Sequence, residues 1–545
     1  MASRKKVVFI AMDAGDKFLI RKWAADGSLK TFRTLLDNGF VGETMSLPGL
    51  YEGATWPSFY TGVTPAHHGF HRLIQLNPGT YDFYRCYTGD FIKKDPFWIH
   101  MGNSGRKVAV LDIPLTGVTK NINGIQMVEW GSHDPNYGFC TWPRGLKQEV
   151  LSKFGPHPAQ GSCDDFQRTS REYSVFRDKL IKGVETKTRL TKHFLTSDHW
   201  DFFAQVFTEG HCAGHQCWHL HDINHPSYSP EVAAVTGNPV RDVYLAIDTA
   251  IGEIMRHIDK ETILFVLASH RMAHNYGAQI LLPEILVKLK FAEKNTGKID
   301  NLKAVYSWSK SKIPDRIKEH LKPVYSRIRG LAEGNESYYP YYCRGIDIKK
   351  SKCFPLDNGF SVGGIRVNLL GREPNGIVRP GAEMDSLCEE LVQDLMEIVD
   401  SDTGIPMVKS VTRTGDLYQG EYLDHLPDIL VEWSDEKCVG NTGTGNPRGS
   451  KIRLFSEKIG LLEGVNTYCR TGDHRPEGLF IAIGGGVEAG RMSRTVSIMD
   501  FAPTFCELLD AGLPEFDGEP IKEIISMANI SRSSFPTSSP PYARG

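Results

Sequence analysis

Glu52-Gly53-Ala54-Thr55-Trp56-Pro57-Ser58-Phe59-Tyr60-Thr61-Gly62-Val63-Thr64-Pro65-Ala66-His67-His68-Gly69 is the stretch around which the rest of the chain can be read. Proline fits the first turn of a helix, where no backbone donor is lost. Pro57 therefore predicts a helix start that leaves Thr55 at or just before its N-terminus, with unpaired N–H groups nearby. Such a point attracts an anion such as phosphate. On the plain reading the Thr55 hydroxyl is a helix cap and nothing more. What shifts that balance is the pattern of polar residues elsewhere in the chain.

Upstream, Val7–Met12 is an unbroken apolar run that ends in Asp13-Ala14-Gly15-Asp16. It reads as a buried parallel strand delivering Asp13 to its carboxyl end, the edge where open α/β sheets bind ligands. A cap for the next helix is the competing role for Asp13. Downstream the chain alternates. Helices are expected within Phe18–Gly39, and over Asp95–Gly102 and Phe176–Leu195. Strands are expected over Lys107–Ile113, Trp200–Phe207 and Thr262–Ala268. Val243, Ile247, Ala250, Ile251, Ile254 and Ile258 share one helical face before the last of these. Strand, helix, strand at these lengths predicts an α/β fold with a doubly wound, mostly parallel sheet flanked by helices. Residues 130–175, rich in Gly, Pro, Asn and Asp, read as a surface excursion.

Lys and Arg outnumber the acids from Lys288 to Arg329, and Tyr338-Tyr339-Pro340-Tyr341-Tyr342 follows. Residues 285–360 thus read as an inserted cap or lid whose basic run is a solvated face or a substrate-binding surface. The expected organisation is a core in two parts, 1–284 and 361–530, around that insert, with a Ser/Pro-rich disordered tail at 531–545. In the second part, strands are expected over Ser361–Leu369, Asp428–Glu432 and Leu479–Ile483, and helices over Glu383–Val399 and Ser497–Leu509.

Composition excludes several classes. The 545 residues carry 63 Lys and Arg against 65 Asp and Glu, a formal net charge of −2. That balance predicts neither a nucleic-acid nor a membrane partner. The apolar start at Val7 ends in Asp13 without a small-residue cleavage site, so it reads as a strand and not a signal peptide. Eleven scattered cysteines with no Cys-x-x-Cys pair suggest reduced thiols and a cytoplasmic location.

Polar groups recur where strands end: Asp13, His211 with His215, His270 and His474, alongside Thr55. His211 and His215, four apart, share a helical face and can grip one ion. The zinc-protease pattern His-Glu-x-x-His is absent because Cys212 follows His211. At the level of residues, a metal pair and two ordinary histidines both remain open.

Taken together, Val-Val-Phe-Ile-Ala-Met-Asp13, Ala54-Thr55-Trp56-Pro57-Ser58 with Thr61-Gly62, Pro65 and His68-Gly69, Gly214-His215 with Trp218-His219, Ala268-Ser269-His270-Arg271-Met272 and Gly472-Asp473-His474-Arg475-Pro476 give the chain a family likeness. It resembles the alkaline phosphatase superfamily, specifically its type I phosphodiesterase/nucleotide pyrophosphatase-like branch. The resemblance implies one or two divalent ions, zinc above all. Asp13, Thr55, position 269 and His270 would hold one, and position 211, His215 and His474 the other. Thr55 would be the nucleophile of a phosphoester hydrolase acting on a small phosphoester or nucleotide-like substrate, through a covalent phosphothreonine.

Two positions depart from that pattern. Ser269 and His211 stand where the family has aspartates. A histidine keeps a ligand and favours softer ions, whereas a serine is a poor one. Glu209, Asp473, His219, His221 and His274 are the side chains able to compensate. A transferase passing the group to an organic acceptor, and a degenerate binding protein without catalysis, are the alternative functions. A sulfatase fits less well, because Thr55 cannot become formylglycine and Phe59 stands where an arginine would be. A homo-oligomer is compatible with the chain.

Overall fold

A strand made of Val7–Met12 has no polar side chain to offer solvent, so it must be covered on both faces. The computed structural model describes residues 5–86, 91–120, 122–131, 138–159, 169–275, 278–295, 343, 345–436, 450–466, 468–512 and 514–533. It places that strand at the centre of a ten-stranded sheet. The longer strands of that sheet are β1 (Lys6–Met12), β2 (Phe40–Met45), β3 (Val108–Leu111), β4 (Gly124–Val128), β5 (Cys140–Trp142), β6 (Phe202–Phe207), β7 (Thr262–Ala268) and β8 (Glu477–Ile483). They lie side by side in the order β2-β8-β7-β1-β6-β3-β4-β5. β1 runs parallel to β6 and β7, and β3 runs parallel to β4 and β6. β8 and β5 are antiparallel to their neighbours. The sheet is thus mixed and mostly parallel, with helices on both sides.

The alternation within β1 shows both faces closed. Val8, Ile10 and Met12 join a core with Leu180, Val184, Val243, Ile247 and Ile254. Val7, Phe9 and Ala11 join another with Ala54, Phe59, Phe501 and Phe505. These side chains come from helices α1 (Tyr51–Thr61), α2 (Ser170–Ser197), α3 (Pro239–Met255) and α4 (Phe501–Leu508). A separate core lies under a four-stranded antiparallel sheet that includes Cys353–Leu356, Val362–Val367 and Ile429–Trp433.

Four expectations need correction or limits. α1 begins at Tyr51, so Thr55 lies within the helix and not at its start, and Pro57 is inside it. Glu52 lies in the first turn, and Gly53 is required there because a Cβ would lie 2.0 Å from the His71 carbonyl oxygen. The stretch 130–175 is not only an excursion: Cys140–Trp142 pairs with β4, and a helix follows at Leu146–Phe154. The strands expected over Ser361–Leu369 and Asp428–Glu432 form, but in the small sheet. Most of the expected insert, 296–342, lies outside the described residues, as does the tail from 534. The flank at Ile285–Leu286 packs into the small-sheet core.

Candidate active site

Register brings the site residues together. Met12 of β1 is level with Phe207 of β6 and with Ala268 of β7. Asp13, Thr208 and Ser269 therefore leave three adjacent strands side by side. The ladder continues one step further, with the Asp13 N–H donating to the Phe207 carbonyl at 2.9 Å and the Ser269 N–H to that of Met12 at 3.3 Å.

After β6 the chain turns into the helix Glu209–His221. Its 3.6-residue period sets His211 and His215 on one face. After β7, Arg271–His274 pairs antiparallel with Gly472–Arg475, which puts Met272 opposite His474. The Thr471 N–H donates to the His215 carbonyl at 2.6 Å and fastens this ribbon to the helix.

The result is a buried cluster of imidazoles. The Nε2 atom of His474 lies 2.9 Å from those of both His211 and His215, which are 3.2 Å apart. His211, His215 and His474 form the group of potential metal-ligand side chains found among the described residues. The His270 ring packs edge-on to that of His474, with centroids 4.5 Å apart.

Tautomers can be read from the partners. His215 Nδ1 faces the Gly472 carbonyl at 2.8 Å, and a carbonyl can only accept. Arg470 Nη1 stands 3.1 Å from His215 Nε2, and a guanidinium can only donate. Both contacts put the proton on Nδ1 and the lone pair on Nε2. Burial, then the neighbouring His270 and His215, hold the His474 imidazole well below the usual histidine range, so it is neutral near pH 7. Imidazole nitrogens this close need either an N–H···N hydrogen bond or a cation between them, and His215 Nε2 offers only its lone pair. A divalent cation fits this donor set, and the carbonyl behind His215 is the kind of partner that orients a metal-ligating histidine.

Thr55 is buried. Its hydroxyl donates to the Tyr51 carbonyl at 2.6 Å and shares a short hydrogen bond with Ser46 Oγ. The Ser46 N–H in turn donates to the Pro476 carbonyl at 2.8 Å, two residues from His474. Asp13 Oδ1 accepts from the Trp56 indole N–H at 2.7 Å. Ser269 Oγ accepts from the Ala14 N–H at 3.4 Å and lies 3.0 Å from His270 Nδ1.

The possible substitute ligands go elsewhere. Glu209 faces His157 at 2.9 Å and the buried Lys187 at 3.3 Å. Asp473 accepts from the His474 N–H and from Asn275 Nδ2, each at 3.0 Å. His219 and His221 pack against Tyr173 and Trp23 respectively, and His274 Nε2 lies 3.1 Å from the Asp435 carbonyl.

Three charged side chains beside the cluster escaped the sequence reading. Glu52 accepts the Ser361 and Phe360 N–H groups at 2.6 and 3.1 Å and lies 3.6 Å from Arg72. Burial and the nearby Asp473 carboxylate push its pKa up to about 7. Burial also raises Asp473, and Arg470 pulls it back. Glu52 offered a weak signal, being in the first turn of the helix that carries Thr55. Nothing local marks Arg72 or Arg470.

An open α/β sheet whose carboxyl edge gathers a buried imidazole cluster and a hydroxyl-bearing helix defines the class. Residues 7–352 match the family model described as type I phosphodiesterase/nucleotide pyrophosphatase, and the chain belongs to this family of phosphoester hydrolases. A comparison with curated proteins gives no significant match. Among solved structures, the chain is similar to phosphonoacetate hydrolase from Sinorhizobium meliloti 1021 in complex with phosphonoformate, at 13% identity, TM-score 0.49, covering 93% of this chain and 96% of that one. It is also similar to murine ectonucleotide pyrophosphatase/phosphodiesterase 5, at 11% identity, TM-score 0.44, covering 96% and 100%. Alkaline phosphatase PafA gives 13% identity, TM-score 0.48 and coverage of 96% and 99%. No described helix is long and apolar enough to cross a membrane.

Proposed function

We propose that this chain is a metal-dependent phosphodiesterase or pyrophosphatase acting on a small phosphoester or nucleotide-like substrate, with Thr55 as nucleophile. The observation that carries the reading is the convergence of the His211, His215 and His474 Nε2 atoms at 2.9–3.2 Å. These three would hold a divalent ion, and a donor set of three nitrogens suits zinc. Such an ion supplies a Lewis acid for the phosphoryl oxygens. Asp13 and His270 are the proposed residues for a second ion, which Ser269, lacking the family's carboxylate, would hold less well.

The chain's own residues orient the rest. The Tyr51 carbonyl and Ser46 fix the Thr55 hydroxyl, and the Trp56 indole fixes Asp13. In the first step the Thr55 oxygen bonds to phosphorus as the bond to the leaving-group oxygen breaks, and the Thr55 proton passes through solvent to the departing oxygen. Water then cleaves the phosphothreonine.

The test uses bis-p-nitrophenyl phosphate as an activated diester, with metal content measured on the same samples. Zinc-loaded protein should turn the diester over. Chelation, or His474→Ala, should remove both the metal and the turnover. Full turnover by metal-stripped protein would refute the proposal.

A further inference from the structure

We propose that Arg470 competes with the ion for the lone pair of His215 and, once the ion has it, anchors the anionic oxygens of the substrate's phosphoryl group. This rests on the reading of the triad as a metal site. The Arg470 guanidinium stays charged at any accessible pH and has no acceptor atom. At 3.1 Å from His215 Nε2 it addresses the atom that a metal would use. One nitrogen lone pair serves one partner, so a bound ion turns the guanidinium away by occupancy and by charge.

The displacement is short because Arg470 is held from several sides. Its backbone neighbour Thr471 bonds the His215 carbonyl through both N–H and hydroxyl, at 2.6 and 3.1 Å. Its guanidinium lies over the Tyr468 ring, 5.7 Å from the centroid. Tyr468 stacks on Phe360 with centroids 3.6 Å apart and planes 13° apart. Phe360 is tied through its N–H to Glu52, three residues from Thr55. A guanidinium turned from His215 therefore remains beside the triad, on an aromatic shelf joined to the helix of the nucleophile. A planar fork of N–H groups there matches two oxygens of a phosphoryl group. The charge balance points the same way. Three neutral imidazoles and Ser269 supply no negative charge to a bound dication, and the buried Asp473 carboxylate beside the cluster is already set against Arg470. The anion that neutralises such a site is the substrate.

The two roles demand effects of opposite sign from one substitution. Zinc affinity is measured by chelator competition, and inorganic phosphate affinity by calorimetry on zinc-loaded protein, for the parent, Arg470→Met and Arg470→Lys. Arg470→Met should bind zinc several-fold tighter and phosphate at least ten-fold weaker. Arg470→Lys, which keeps the charge but loses the fork, should fall between parent and Arg470→Met on both, and it carries the test if Arg470→Met does not fold. Unchanged values for both ligands, or zinc and phosphate weakened together, overturn the proposal while leaving the triad reading intact. A parent protein that binds no zinc overturns the triad reading, and this inference with it.

Discussion

Gly472→Ala is expected to open the proposed metal site without replacing any of its three histidines. Gly472 lies where Gly472–Arg475 crosses the helix Glu209–His221, and its carbonyl receives His215 Nδ1 at 2.8 Å. A Cβ at this position would stand 2.4 Å from the Gly214 carbonyl oxygen and 2.9 Å from the Trp218 Cβ. Ordinary contact begins near 3.4 Å, so strand and helix must separate by roughly 1 Å to admit the methyl group. Both obstacles, a backbone oxygen and a Cβ fixed to the backbone, belong to the helix Glu209–His221, so rotamer changes cannot absorb the clash. His474 rides on the strand, while His211 and His215 ride on the helix. The separation therefore goes directly into the 2.9 Å spacings between their Nε2 atoms. Metal sites tolerate only about 0.2 Å in ligand distance. Overpacking of this kind costs about 1–3 kcal/mol, which a large domain survives. Zinc affinity should fall by about 10–100-fold, the range seen when support behind a ligand is lost. Chelator competition on folded Gly472→Ala, with a thermal melt as the control for folding, checks this. Parental zinc affinity in the folded variant would show that the strand–helix spacing does not set the triad.

Thr55→Ala should abolish diester turnover while costing about 1–3 kcal/mol of stability, because the buried Ser46 hydroxyl loses its partner. Thr55→Ser should keep partial turnover, and added zinc should not rescue Thr55→Ala; near-parental turnover by the alanine variant would exclude Thr55 as nucleophile. Glu52 should make stability fall with rising pH. Its carboxyl is lifted from 4.5 to about 7 by burial and Asp473, so between those values the folded state holds a proton that the unfolded state has lost. Stability is then greatest below about 4.5 and declines until about 7, by at most about 3 kcal/mol. Glu52→Gln should flatten that part of the profile in denaturant melts from pH 4 to 8, and parallel profiles for the two proteins would argue against the assignment.

The apolar run Val7–Met12, the pair His211 and His215 at helical spacing, and the strands before Ser269 were legible because each depends on neighbours a few residues away. Periodicity decides which face of a helix or strand is apolar. The central parallel strands and the carboxyl edge follow from that alone. The departures at Ser269 and His211 are different in kind, since they are implied by the family resemblance and not by periodicity.

The helix register around Thr55 was not legible. Pro57 suggested a first turn, whereas the close approach of Gly53 to His71 and the burial of α1 allow the helix to start at Tyr51. Glu209 looked like a spare ligand, yet packing turns it to Lys187 and His157. Glu52 carries only its place in the first turn of α1, and Arg72 and Arg470 carry no local mark. His211 and His474 are 263 positions apart, and Arg470 and His215 are 255 apart. Contacts over such separations are set by strand order and by the pairing of Arg271–His274 with Gly472–Arg475. The sequence alone thus determined which side chains could do chemistry at a strand end. Only the tertiary structure decided which of them meet, because an imidazole or a guanidinium acts through atoms about 3 Å away, and no local period encodes that distance.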